Sequence, residues 1–400
     1  MSATPQRVSD LDTPALIIDL DVMERNLSRM AEYTRQHDLR LRPHTKTHKI
    51  PALARRQIDL GAAGLTIAKV GEAEVMLGAN PPDLLLAYPV VGSRKLDRLM
   101  EVARRAAVTV SLDSLPVAGQ LSRAATEAGV EIGVLAEVDV GLGRVGVAPD
   151  AVVALAQAIN RLPSLRYRGI AFYPGHIKKL DDAGFQALNS LSKLLTDVIA
   201  DLERAGLAPE IVSGGSTPTM FHSHEVAGMN EIRPGTYIFN DRNTVFSGAC
   251  SFDDCAASIL ATVVSTAKPG QMIIDGGSKT FSSDQPAAGY NGFGQVVEAP
   301  GAVFTKMNEE HGFVDITGAE RGFAGAGVVG FCGVKKITAV IDGKAHHLVD
   351  GVLTLRAPVV AAPVGPAADA ENRQLKFRRA ACASRHDVRW LASGDFDERR

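Results

Sequence analysis

The stretch Arg42-Pro43-His44-Thr45-Lys46-Thr47-His48-Lys49 puts three bases and two histidines beside one proline. Leu39 to Leu41 before it alternate apolar and polar as a strand does, and Ile50 to Leu60 after it carry apolar residues at helical spacing. Lys46 would then stand at the carboxyl end of a strand. In a parallel α/β barrel that end is the catalytic face. A lysine held there among other cations and away from water has a lowered ammonium pKa and offers the neutral amine that Schiff-base chemistry needs. The competing reading is a solvated basic turn.

Three further segments could share that face. In Ile211-Val212-Ser213-Gly214-Gly215-Ser216-Thr217-Pro218-Thr219 an apolar strand runs into paired glycines and hydroxyls, a composition that exposes backbone N–H groups and can cradle a phosphate. Glycines there also serve an ordinary turn. Glu137 to Val147 set Arg144 among three glycines, where a guanidinium can bind an anionic oxygen or cover an aromatic ring. Tyr173-Pro174-Gly175-His176 brings a phenol and an imidazole together, either of which can relay protons or simply pack in a turn.

These segments need a scaffold, and the periodicity supplies one. Strands are predicted at Leu39–Thr45, Gly64–Ile67, Leu84–Tyr88, Val108–Leu112, Ile132–Val138, Tyr167–Phe172, Glu210–Val212 and Glu231–Phe239, with helical patterns between them. Eight strands alternating with helices predict a (β/α)8 TIM-type barrel, here over residues 14–245. Short β-rich runs separated by glycine and proline, Ala257–Ser265, Gln271–Ile274, Gln295–Val297, Gly312–Ile316 and Lys336–Ile341, predict a C-terminal all-β domain over residues 246–356, with residues 1–13 near it. Residues 357–400 read as an atypical, poorly ordered tail. With 43 basic and 45 acidic residues and no long basic block, nucleic acid is not expected as a partner. Cys250, Cys255, Cys332 and Cys382 form no CxxC pair, which fits a reducing compartment. No apolar run reaches the length of about 18 residues that spans a bilayer, and the N-terminus has no signal-like core, so a cytoplasmic location and no membrane partner are expected.

The run at Lys46, Ala68-Lys69-Val70-Gly71-Glu72-Ala73-Glu74, Tyr173-Pro174-Gly175-His176, the Ser213 to Thr219 loop and Glu309-Glu310-His311-Gly312 together resemble the D-threonine aldolase and D-serine dehydratase group of pyridoxal-phosphate enzymes, whose barrel is alanine-racemase-like. The resemblance covers about residues 12 to 315. It implies pyridoxal 5'-phosphate as cofactor, bonded to Lys46. Arg144 then meets the ring oxygen, Tyr173 lies near the pyridine ring, Ser213, Gly214, Gly215, Ser216 and Thr217 form the phosphate cup, and Tyr237 is nearby on the last barrel strand. His176 and His311 are the implied proton carriers. A homodimer and a small D-amino acid substrate are implied as well. The favoured activity is D-threonine aldolase, with cleavage to glycine and an aldehyde. The alternatives are dehydration of D-serine or D-threo-3-hydroxyaspartate, and a cofactor-binding barrel without turnover. A racemase is disfavoured, since no tyrosine follows Tyr290 to serve as a second base. The family also implies a divalent metal, manganese or zinc, held by a Pro-x-His-x-Cys or Pro-x-His-x-Asp element. This sequence lacks that element: His346, His347 and Asp350, and Cys382, His386 and Asp387, have the residue types at other spacings. The metal ligands are therefore unknown.

Overall fold

Runs of Leu, Ile, Val and Ala too short for helices alternate with amphipathic segments, and the chain folds accordingly. The computed structural model describes residues 11–282, 292–299, 301–319, 328–332 and 353–355. The first strand and helix are β1 (Ala15–Asp19) and α1 (Leu20–Gln36). There follow β2 (Arg40–Leu41), α2 (Pro51–Asp59), β3 (Leu65–Ile67), α3 (Val70–Met76), β4 (Asp83–Leu86), α4 (Ser93–Ala103), β5 (Ala107–Leu112) and α5 (Leu115–Ala128). Next come β6 (Ile132–Val138), α6 (Val152–Asn160), β7 (Leu165–Phe172), α7 (Asp182–Arg204), β8 (Ile211–Gly214), β9 (Glu231–Ile232) and α8 (Arg242–Phe246). The remaining strands are β10 (Ala257–Ser265), β11 (Gln271–Ile274), β12 (Gln295–Val296), β13 (Val303–Met307), β14 (Gly312–Asp315), β15 (Val328–Cys332) and β16 (Leu353–Leu355). The chain divides into two units, Leu27–Tyr237 with Ser247–Ala249, and the described parts of Met1–Asn26, Ile238–Phe246 and Cys250–Arg400.

In the first unit eight strands pair in the order β2-β9-β8-β7-β6-β5-β4-β3, every pair parallel. The ring is completed between β2 and β3 by backbone bonds rather than a long ladder. Ala63 N donates to Leu41 O and Thr66 N to Pro43 O, each at 2.8 Å, and His44 bridges Thr66 in parallel. This is the (β/α)8 barrel that the periodicity predicts. Each helix turns one stripe inward, as α4 does with Leu96, Leu99, Met100 and Val102. Leu85, Leu135, Ala171 and Ile211 form one buried cluster across β4, β6, β7 and β8.

Two strands are shorter than expected. Instead of Leu39–Thr45 and Glu231–Phe239, the ladders span Arg40–Leu41 and Glu231–Ile232. Pro43 and Pro234 lack the N–H a ladder requires, and the chain turns at once into single 3-10 turns at Thr45–Thr47 and Thr236–Ile238. Lys46 and Tyr237 thus occupy matching turns at the ends of neighbouring strands.

In the second unit the order is β11-β14-β13-β12-β15-β10-β1-β16, antiparallel apart from the β1–β16 pair. Its core includes Ile259, Val263, Met272, Ile274, Phe281, Phe304 and Val314, with the Phe281 and Phe304 rings edge-on at 4.9 Å. Strands β13 and β15 were not among the expected runs. The expected strand Lys336–Ile341, the tail 357–400 and His346, His347, Asp350, Cys382, His386 and Asp387 lie outside the described residues. Among the described residues no helix is long and apolar enough to cross a membrane.

Candidate active site

The turn carrying Lys46 is fixed on every side. His44 caps it, its Nδ1 accepting from Lys46 N at 3.4 Å. Thr45 is fully buried and donates to Glu72 Oε1 at 2.5 Å, while Glu72 Oε2 accepts from Ala68 N at 2.9 Å. Glu72 thereby ties the end of β3 to the turn. Burial raises its carboxyl above the usual range, opposed by these bonds and by the charges of Lys49 and Lys46. His48 is buried, and its Nδ1 accepts from Ile50 N at 3.0 Å, so its proton is on Nε2, facing Gln57 Oε1 at 3.3 Å. Gln57 Nε2 then donates to Tyr237 Oη at 2.9 Å. Desolvation lowers the His48 pKa to about 4. His44 is held well below its ordinary value by burial, then by the charges of Lys46, Arg233 and His48. Both imidazoles flanking Lys46 are therefore neutral at physiological pH.

Arg42 is no part of a basic cluster around Lys46. Its side chain is 1% exposed and lies between Asp83 Oδ1 at 3.0 Å and Glu231 Oε2 at 2.9 Å. It passes Gly64, where a Cβ would sit 2.5 Å from Arg42 Nη1. Lys46 itself is exposed, so the expected shielding from water is supplied to its neighbours and not to its own side chain.

The end of β8 forms the second part. Ser213 is buried, donating to Glu231 Oε1 at 2.7 Å and accepting from Arg233 Nη1 at 3.2 Å. Its hydroxyl belongs to the barrel wall. Gly214 packs on the Phe172 ring, 2.1 Å from where its Cβ would be, and Gly215 has φ +80°. Past this bend, among the described residues no carbonyl or side chain accepts from the N–H groups of Gly215, Ser216 and Thr217. Ser216 Oγ lies 3.1 Å from Thr219 Oγ1. Three open amides beside a buried glycine bend form a cradle for an anion. Tyr237, expected on the last strand, is in the turn beyond it, its hydroxyl receiving the Gln57 bond.

The loops after β6 and β7 meet each other. Asp139 Oδ1 accepts from the N–H groups of Gly141, Leu142 and Gly143 at 3.0, 3.0 and 3.1 Å, bonds that hold its carboxyl below the usual range. The loop wrapped on Asp139 places the Arg144 guanidinium 4.8 Å from the Tyr173 ring centroid. His176 is exposed, with its ring against Gly141. Arg233, not among the residues expected at the site, is buried behind these loops and donates to Phe172 O at 2.8 Å. Burial depresses its pKa, while Glu137 and Glu231 oppose that effect. Its signal was present as a near-repeat, Arg42-Pro43-His44-Thr45-Lys46 against Arg233-Pro234-Gly235-Thr236-Tyr237.

The barrel so gathers Lys46, Arg144, Tyr173, His176, Gly214, Gly215, Ser216, Thr217 and Tyr237 at the carboxyl ends of its strands, with Ser213 behind them. His311 belongs to the other unit, exposed in the turn between β13 and β14, where it lines a small cavity with Ser265, Lys268, Gln271, Asn308 and Phe313. Among the described residues no group of three or more His, Cys, Asp or Glu could hold a metal ion.

Residues 18–243 match the alanine racemase N-terminal domain, and residues 256–331 match a serine dehydratase domain. The chain is 33% identical to the D-threonine aldolase of Arthrobacter sp., over 88% of this chain and 90% of that protein. It is 34% identical to the D-threo-3-hydroxyaspartate dehydratase of Delftia sp. (strain HT23), over 76% of this chain and 83% of the other. The crystal structure of D-threonine aldolase from Filomicrobium marinum superposes with a TM-score of 0.79 at 31% identity, covering 88% of this chain and 95% of that one. A barrel whose strand ends carry these residues, joined to a second domain of the same lineage, places the chain in the D-threonine aldolase and D-serine dehydratase family.

Proposed function

We propose that the chain is a pyridoxal-phosphate-dependent lyase that cleaves β-hydroxy-D-amino acids of the D-threonine kind between Cα and Cβ, giving glycine and an aldehyde. The observation that supports it is the placement of Lys46 at the end of β2 and of three open amides, Gly215 to Thr217, at the end of β8, with only β9 between those strands. A phosphorylated aldehyde needs these two ends: an amine to bond and a cluster of donors for its phosphate. Lys46 would hold the aldehyde carbon, Gly215, Ser216 and Thr217 the phosphate, Arg144 the ring oxygen, and Tyr173 one side of the ring. When bound, pyridoxal phosphate supplies a ring that accepts the electron pair left on Cα.

The chain's own residues perform the remaining tasks. Neutral His44 and His48 keep extra positive charge away from the turn, and Glu72 anchors it through Thr45. Asp139 shapes the loop so that the Arg144 guanidinium lies over the Tyr173 ring. His176, at the mouth beside Gly141, accepts the β-hydroxyl proton, as an imidazole can near neutral pH. The test is incubation of the purified chain with pyridoxal phosphate and D-threonine, with aldehyde and ammonia measured separately. Aldehyde without ammonia is the expected result. Ammonia without aldehyde would instead favour dehydration, the reading that the likeness to the Delftia dehydratase supports.

A further inference from the structure

Arg29 and Tyr33 on α1 and His37 in the turn just past its end are spaced four residues apart, with His37 N donating to Tyr33 O at 3.2 Å, and form a single stripe. That stripe lies against Met220–Glu225, the 3-10 segment that follows the anion cradle. Arg29 covers the Phe221 ring at 4.3 Å, Tyr33 meets Phe221 edge-on at 5.3 Å, and His37 stacks on His224 at 3.7 Å with the planes 17° apart. Tyr33 and His224 are bonded twice. His224 N donates to Tyr33 Oη at 3.2 Å, and His224 Nδ1 lies 3.0 Å from the same oxygen, placed to accept the phenol proton when the imidazole carries its own proton on Nε2. A bare Nδ1 accepts that proton, whereas protonation turns Nδ1 into a second donor aimed at an oxygen that already accepts from His224 N, so the contact is strongest with neutral His224. The segment in turn supports the cradle. Ser223 Oγ donates to Thr219 O at 3.2 Å and sits 3.4 Å from where a Gly215 Cβ would be, and Thr219 Oγ1 reaches Ser216 Oγ at 3.1 Å.

We propose that Tyr33 and His224 are positioning residues for the cradle: through Ser223 and Thr219 they hold Gly215 to Thr217 in an anion-binding shape, and protonation of His224 releases that hold. The inference rests on the reading that this cradle takes the cofactor's phosphate. The groups facing His224 are Tyr33 from α1, His37 from the turn that ends it, and His222 and Glu225 from its own segment, with Arg29 farther along the stripe; α7 contributes the uncharged Phe185 ring on His222. Burial first, then His37, hold the imidazole below its ordinary value of 6.5, against the pull of Glu225. The released state therefore takes up the proton more readily than the clasped one. The hold is complete above pH 6.5 and weakens as pH falls below it.

The experiment compares binding of pyridoxal phosphate and of phosphate-free pyridoxal to the full chain at about pH 7.5 and about pH 5.5, for wild type, His224→Asn and Tyr33→Phe. The Asn amide oxygen accepts the phenol proton and does not titrate, so the phosphate's own ionisation is common to wild type and this variant. Acidification is expected to cost wild type about fivefold more pyridoxal-phosphate affinity than His224→Asn, the value of one neutral hydrogen bond. Tyr33→Phe should be weaker by about the same factor already at the higher pH. Pyridoxal binding should be alike in all three. Identical pH profiles in wild type and His224→Asn overturn the proposal, as does equal weakening of both ligands in Tyr33→Phe. Equal affinity of wild type for the two ligands overturns the cradle reading itself.

Discussion

Gly215→Ala isolates backbone conformation from space. A Cβ at Gly215 would lie 3.4 Å from Ser223 Oγ and 3.6 Å from Ile232 Cβ, ordinary contact, so crowding adds nothing. The residue's φ is +80°, and a side chain there costs about 1 to 2 kcal/mol. That strain has two outlets. If the bend is kept, the folded barrel carries it, and the melting temperature falls by roughly 2 to 8 °C at about 2 to 4 °C per kcal/mol for a unit of this size. If the peptide rotates instead, the amides of Ser216 and Thr217 swing out of line, and pyridoxal-phosphate affinity falls by about five- to thirtyfold for the same 1 to 2 kcal/mol. Scanning calorimetry and a cofactor titration on one preparation measure both, and the two losses together should amount to about 1 to 2 kcal/mol. A variant unchanged in both would refute the claim that this left-handed bend aims the amides.

Lys46→Ala should leave no borohydride-fixed cofactor on the chain, whereas wild type should carry it on Lys46; peptide mapping that finds it on Lys49 or Lys69 would remove Lys46 from its role. Arg42→Met should destabilise the barrel by about 3 kcal/mol, because fully buried Glu231 would lose its 2.9 Å ion pair and keep only Arg40 at 3.8 Å, while Asp83 would keep Arg168 at 2.8 Å; an unchanged urea midpoint would contradict this. Aldehyde release is expected to depend weakly on added divalent metal, since the sequence lacks the family's Pro-x-His-x-Cys or Pro-x-His-x-Asp element. Complete loss in EDTA with recovery in manganese would demonstrate a ligand set of another spacing.

The barrel was legible because its signal is periodic and local: Ile132–Val138 is read at its observed limits. The strand ends were legible as well, since Gly-Gly-Ser-Thr after an apolar run has few uses. What escaped was long-range pairing. Arg42 reads as one base among three, and only the fold brings Glu231 from neighbouring β9 and Asp83 from β4 to it. Ser213 reads as a ligand, and only Glu231 and Arg233 show its hydroxyl to be engaged. The strand pattern runs on past Pro43 and Pro234, but each proline lacks the N–H that would carry the ladder further. The stacked His37 and His224 lie far apart in sequence and carry no local signature.

The closure of the barrel gives it a seam. Pairing between β6 and β7 runs from Ile132–Leu165 to Val138–Phe172, whereas β2 meets β9 at two positions and β3 through an isolated bridge. Amide exchange reports such differences in local opening. Strand β2, which leads into the Lys46 turn, would exchange first, with β5 to β7 as the slow, persistent wall. A molecule anchored both at Lys46 and at Gly215 to Thr217 straddles β9, joining β2 to β8 over the weakest stretch of the wall. Its arrival would act as a rivet, slowing exchange at the seam and leaving β5 to β7 as they were.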